Sequence, residues 1–250
     1  ENGNYKMDFE DLDAKMADPK NKVLVFCSPH NPTGRVWTEE EIRTVVDICK
    51  KYDKWIICDE IHCDLLRKGV VFHPMVKVAP DYAEKIAVCT APSKTFNLAG
   101  MKTSNIVIHS EELKEKWNDF IGNKLSMNGV SALGLTAMVA AYREGEEWLE
   151  QVKEYLDGNF AYIDNCVKEH LPKAHLVPAE GTYLAWIDFN AYVNGDEKKL
   201  EELMQKKARV ALDEGYIFGD AGKGFERINL ASPRSVIAEC MERILKAFEE

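Results

Sequence analysis

Four short apolar runs, each followed by a polar or amphipathic stretch, constrain this chain more than any other feature. They are Lys22-Val-Leu-Val-Phe-Cys27, Trp55-Ile-Ile-Cys58, Ile86-Ala-Val-Cys89 and Asn105-Ile-Val-Ile108. None alternates apolar with polar residues as a half-exposed strand does. Continuous apolar strands separated by helices imply a parallel sheet covered on both faces. Thr38 can cap one such helix, with Glu41 three residues on completing a capping box. That helix is expected to run to about Tyr52, with Ile42, Val45, Val46 and Cys49 on one face. The expected fold class is therefore α/β with a mostly parallel sheet.

Beyond Ser110 the pattern turns helical, with helices expected over 111–124, 130–144 and 148–171. It then changes character again. Strands are expected over 174–177, 181–189 and 225–231, a helix over 200–208, and a closing amphipathic helix over 234–248. We place a boundary inside the long helix, giving a large domain over 1–158 and a smaller C-terminal α/β domain over 159–250. A chain of 250 residues has room for a domain and a half. The formal charge of −10 makes nucleic acid an unsuitable partner. No apolar run approaches the roughly 20 residues of a membrane span. The seven cysteines are odd in number and several lie in strand-like runs, which points to free thiols in a reducing cytoplasm. No CxxC pair suggests a zinc site, and no metal is expected.

Ligand groups in open α/β sheets gather just beyond the carboxyl ends of the strands. Three polar residues fall at such places. Asn31 follows the first strand in His30-Asn31-Pro32-Thr33-Gly34, Asp59 follows the second in Asp59-Glu60-Ile61-His62, and Lys94 follows the third in Ala91-Pro92-Ser93-Lys94-Thr95. Each alone reads as readily as a turn, a cap or a solvated lysine. Three at successive strand ends read as a site.

Taken in order, these blocks resemble the class I/II aminotransferases and their relatives, the fold-type I enzymes that use pyridoxal 5'-phosphate (PLP). The set is most similar to the MalY/PatB group of cystathionine β-lyase-like enzymes. Gly34-Arg-Val-Trp37, Ser93-Lys-Thr-Phe-Asn-Leu-Ala-Gly100, Gly181-Thr-Tyr-Leu-Ala-Trp186, Phe225-Glu-Arg-Ile-Asn229 and Pro233-Arg-Ser235 extend the likeness from about Lys22 to the end.

The resemblance implies a role for each residue. Lys94 resembles the lysine that carries the cofactor as a Schiff base and, once displaced, acts as the base at the substrate Cα. Asp59 resembles the carboxylate that pairs with the pyridine nitrogen and keeps it protonated. Asn31 resembles the residue bonded to the cofactor phenolic oxygen. His62 stands where many aminotransferases carry Tyr, either near the same oxygen or packed behind it. Ser93 is a candidate phosphate ligand. Arg227 resembles the arginine that grips the substrate α-carboxylate through two parallel donors. Arg234 is a second candidate for that task, or a partner of groups near the closing helix.

One position departs from the pattern. Many relatives have Arg eight residues after the Schiff-base lysine, where this chain has Lys102. An ammonium can meet phosphate as a point charge without the bidentate fork. The family also carries, ahead of these motifs, a Gly-containing phosphate turn and an aromatic group stacked on the ring. Neither is found before Asn31, so the chain is expected to be a piece of a longer protein. The implied activity is carbon–sulfur β-elimination on cystathionine or another L-cysteine S-conjugate, in a homodimer. The same motifs fit an aminotransferase, and a non-catalytic regulatory or interaction fragment is the alternative from another class.

Overall fold

The structure is a computed structural model that describes residues 3–127 and 129–249. The first part of the chain contains α1 (Phe9–Ala17), β1 (Val23–Cys27), α2 (Glu39–Lys51), β2 (Trp55–Asp59), α3 (Met75–Val78), β3 (Ile86–Thr90), α4 (Pro92–Thr95) and β4 (Asn105–Ile108). Three helices follow, α5 (Glu111–Asn118), α6 (Ala132–Glu144) and α7 (Glu146–His170). The rest comprises β5 (His175–Leu176), β6 (Leu184–Asp188), α8 (Asn190–Val193), α9 (Glu197–Glu201), β7 (Asp213–Glu214), β8 (Phe225–Asn229) and α10 (Arg234–Glu249).

The first sheet has the order β1-β2-β3-β4, and β1, β2 and β3 are parallel as the continuous apolar runs imply. Strand β4 runs antiparallel to β3, so the sheet is mixed at that edge. Helix α2 forms where expected. The Thr38 side chain accepts from the Glu41 amide, and the Glu41 carboxylate accepts from the Thr38 amide. Acidic residues fill its first turn and Lys50 and Lys51 its last, matching the helix dipole. Ile42, Val45, Val46 and Cys49 are buried against Phe26, Ile56, Cys58, Ile86 and Val88. Each such side chain contributes about 1.5–3 kcal/mol through burial.

The opposite face of this sheet is open among the described residues. Successive strand residues point to opposite faces. Val23, Val25 and Ile57 all lie on the face away from α2, and they are 44%, 68% and 39% exposed. Asp59 lies on this uncovered face, at its carboxyl end.

The second sheet is antiparallel, with the order β5-β6-β8-β7. Helices α7 and α10 cover one side of it, through Leu156, Ile163 and Val167 from one and Ile237, Met241 and Ile244 from the other. Helix α7 passes through residue 158 without a break, and Leu156 and Ile163 on either side belong to the same core. Strand β6 begins at Leu184 rather than Gly181, because Thr182 adopts a left-handed φ of 70° that ends the extended run. The helix expected over 200–208 is α9 followed by a π-helical turn over Glu202–Ala208, and β8 ends at Asn229.

One residue of β8 breaks the apolar rule. Glu226 faces the same side as Ile228, is 1% exposed, and neither carboxylate oxygen has a partner among the described residues. Burial first, then the charges of Glu214, Asp213 and Glu201, push its pKa up to about 8. A carboxyl raised this far above its unfolded value stabilises the fold fully below pH 4.5 and loses that contribution as pH rises through 8. Glu226→Gln keeps the neutral shape at every pH. In urea denaturation the variant should gain a few kcal/mol on the wild type between pH 5 and pH 9. A stability difference that stays constant over that range would show that Glu226 is ionised in the fold.

Candidate active site

The site is organised by the turn after β1. The His30 amide donates to the Arg35 carbonyl and the Gly34 amide to the His30 carbonyl, each at 2.7 Å. Gly34 has φ +73°, and a Cβ there would lie 2.7 Å from Ala179 Cβ. Its carbonyl accepts from the Glu180 and Gly181 amides, both at 2.9 Å. Gly181 is packed as closely, since a Cβ on it would lie 2.8 Å from Pro29 Cβ. Arg35 reinforces the contact by pairing with Glu41 at 2.8 Å and Glu180 at 2.6 Å. The loop between β1 and α2 is thereby fixed to the loop leading into β6. The Asn31–Pro32 and Ser28–Pro29 peptide bonds are both cis.

That junction brings residues from both sheets together. Asn31 Oδ1 accepts a hydrogen bond from Arg227 Nη1 at 2.7 Å. Arg227 reaches it from β8, across from Trp186 in β6. Asp59 ends β2 between Cys27 and Cys89 in register, and its Oδ1 accepts from the Ile61 amide at 3.1 Å. Lys94 lies in the single turn α4 that follows β3. Thr95 Oγ1 donates to Asp64 Oδ2 at 2.8 Å, which ties that turn to the segment following β2. Lys94 and Ser93 line a cavity of about 460 Å³ with Trp148, Tyr155 and Tyr183.

His62 lies between these groups. It is 3% exposed, stands edge-on to Tyr183 with ring centroids 5.7 Å apart, and its Nδ1 has no partner among the described residues. Burial, followed by the positive charges of Lys94 and Arg227, lowers its pKa to about 4. The imidazole is thus neutral at physiological pH, chiefly because it is buried.

Two expected residues are placed elsewhere. Lys102 is exposed, with a left-handed φ of 49° at the end of the turn Ala99–Met101, and forms no ion pair among the described residues. Arg234 Nε donates to Asn159 Oδ1 at 2.7 Å, and its guanidinium lies 5.0 Å from the Tyr162 ring centroid. Its contacts are with α7, so it joins α10 to that helix, and Arg227 is the arginine that meets Asn31. Sequence reasoning missed Asp213 and Phe218, which surround Arg227 from a segment without periodicity, and Tyr183, which packs on His62.

Residues 1–244 match the family described as aminotransferase class I and II. The chain belongs to the class I and II aminotransferase family. Within it, the chain is 34% identical over 245 residues to the cystathionine beta-lyase PatB of Bacillus subtilis, covering 98% of this chain and 63% of that protein. The crystal structure of cystalysin from Treponema denticola, whose description names a pyridoxal 5'-phosphate cofactor, superposes with a TM-score of 0.94 at 42% identity. All of this chain and 63% of cystalysin are covered. The PLP-bound C-S lyase from Staphylococcus hominis matches with a TM-score of 0.93 at 38% identity, over all of this chain and 63% of that one. The chain thus spans a little under two thirds of the length of these family members.

The junction can be tested by adding one methyl group. Gly69 has φ +85° with nothing within 4 Å of an added Cβ, so Gly69→Ala meets backbone strain alone. That strain costs about 1–3 kcal/mol. Gly34→Ala meets similar strain and also the Ala179 contact. It should lower the midpoint of thermal unfolding clearly further than Gly69→Ala. Equal losses in the two variants would show that the Gly34 turn is not a close contact.

Proposed function

We propose that this chain carries the catalytic core of a PLP-dependent carbon–sulfur β-lyase, cleaving cystathionine or a related L-cysteine S-conjugate to a thiol, pyruvate and ammonia. The observation that carries the reading is the 2.7 Å hydrogen bond from Arg227 to Asn31, which brings a guanidinium of the second sheet to the edge where Asp59 ends β2 and Lys94 follows β3. The names of the related proteins support the lyase outcome.

The residues present fit the cofactor. The unpartnered Nδ1 of His62 offers a hydrogen-bonding position in an otherwise buried place. Asp59 puts a carboxylate at the end of the uncovered sheet face, where a protonated ring nitrogen would be held. We assign Asn31 and His62 to the phenolic oxygen, Ser93 to the phosphate and Lys94 to the aldehyde carbon. Lys102 reaches the phosphate only if its exposed side chain turns inward, and Arg234 is left as a packing residue with a weaker claim on the substrate. When bound, the cofactor supplies a ring that accepts the electrons left at the substrate Cα.

The chain's own part is to bind, orient and move a proton. Arg227 grips the α-carboxylate and sets the Cα–H bond toward Lys94. The freed Lys94 amine takes the Cα proton, and the sulfur leaves Cβ as a thiolate. Water then converts the remaining enamine to pyruvate and ammonia. We further propose a homodimer, a division into 1–158 and 159–250, and a cytoplasmic setting. The seven free thiols favour a reducing compartment, and no described helix is long and apolar enough to cross a membrane.

In the complete enzyme, Lys94→Ala should lower the rate of pyruvate release from cystathionine by at least about 10²–10⁴, the contribution of a positioned base. Pyruvate and ammonia should appear in equal amounts with the wild type. Appearance of the amino group on an added keto acid instead would identify an aminotransferase. Wild-type turnover by Lys94→Ala would refute the role of Lys94 in either reaction.

A further inference from the structure

Asp213 has no part in the chemistry above, yet it makes two of the three hydrogen bonds that hold Arg227. The two-residue strand β7 pairs with β8 so that Asp213 is the cross-strand neighbour of Arg227. Asp213 Oδ2 accepts from Arg227 Nε at 3.1 Å and from Nη2 at 2.6 Å. The Phe218 ring lies beneath the guanidinium, 4.6 Å from its carbon to the ring centroid. Nη1 donates to Asn31. The segment holding Asp213 and Phe218 thus fixes one edge and one face, and the turn after β1 fixes one terminal nitrogen.

A guanidinium has five N–H donors in a planar fork. Asp213 takes Nε–H and one hydrogen of Nη2, and Asn31 takes one hydrogen of Nη1. Each terminal nitrogen keeps one hydrogen for a ligand, which is the number a bidentate carboxylate needs. An arginine left free would lose rotamer entropy on gripping substrate, and Asp213 with Phe218 removes much of that loss beforehand. The Asp213 side chain is 46% exposed, so water screens its repulsion of a second carboxylate.

We propose that Asp213 is a positioning residue that holds the Nε–Nη2 edge of Arg227 and so presets it for the α-carboxylate of an amino-acid substrate. This rests on the assignment of Arg227 as the carboxylate clamp. The opposite role is an internal carboxylate that blocks the clamp and must be displaced. The two roles differ in the sign of their effect on substrate affinity.

The test uses the complete enzyme with L-cystathionine and with an S-substituted cysteamine, an amine lacking the carboxylate. Asp213→Ala should raise KM for cystathionine about tenfold while kcat falls by no more than about threefold. Asp213→Asn should recover most of that loss, since an amide oxygen can still accept from Nε and Nη2. Spectral titration of the bound cofactor with the cysteamine conjugate should give the same affinity in wild type and Asp213→Ala. An unchanged or lowered KM in Asp213→Ala, or an equal affinity loss for the cysteamine conjugate, overturns the proposal. Arg227→Ala separates the two levels. If it raises KM for cystathionine roughly 100-fold while Asp213→Ala does not, Asp213 alone is misassigned. If Arg227→Ala leaves KM unchanged, the clamp assignment falls and the role of Asp213 falls with it.

Discussion

The two sheets meet where Gly34 and Gly181 approach too closely for any side chain, and the placement of the site depends on that contact. The Gly34 carbonyl holds the entry to β6 through two amide bonds, and the Arg35 ion pairs with Glu41 and Glu180 close around it. A second tie runs alongside, where the Thr182 amide donates to the Leu65 carbonyl at 2.8 Å and the Arg67 amide to the Glu180 carbonyl at 2.9 Å. These bonds set β8 opposite the carboxyl ends of β1 and β2. Without them Asn31 and Arg227, 196 positions apart in sequence, would have no reason to be 2.7 Å apart.

Much of this arrangement was legible in the sequence, for identifiable reasons. Continuous apolar runs located β1 to β4 because a sheet packed on α2 requires them, and the Thr38–Glu41 box located the start of α2 because capping is local chemistry. The positions of Asn31, Asp59 and Lys94 at or just beyond successive strand ends were legible because parallel strands deliver their carboxyl ends to one edge. The direction of β4 was not legible, since an edge strand of four apolar residues reads alike in either orientation. Asp213 escaped notice for a different reason. Its strand has two residues, and its importance comes wholly from facing Arg227 across the ladder.

Charge is distributed unevenly over the two sides of β8. Toward the cleft, Arg227 is balanced by Asp213 and bears on a histidine kept neutral. Toward the core, Glu226 is surrounded by further carboxylates and is kept neutral in its turn. A five-residue strand thus separates the paired guanidinium on one face from a buried carboxyl beside other carboxylates on the other. The alternation of side chains along a strand makes that separation possible over one residue.

Lys94 is the proposed tether of the cofactor. The complete enzyme, incubated with pyridoxal 5'-phosphate, reduced with borohydride and digested, would report the tether directly by peptide mass spectrometry. The reduced pyridoxyl group is expected on Lys94, in the peptide that contains Ser93 and Thr95. Stoichiometric label on another lysine, Lys102 above all, with Lys94 unmodified, would contradict it.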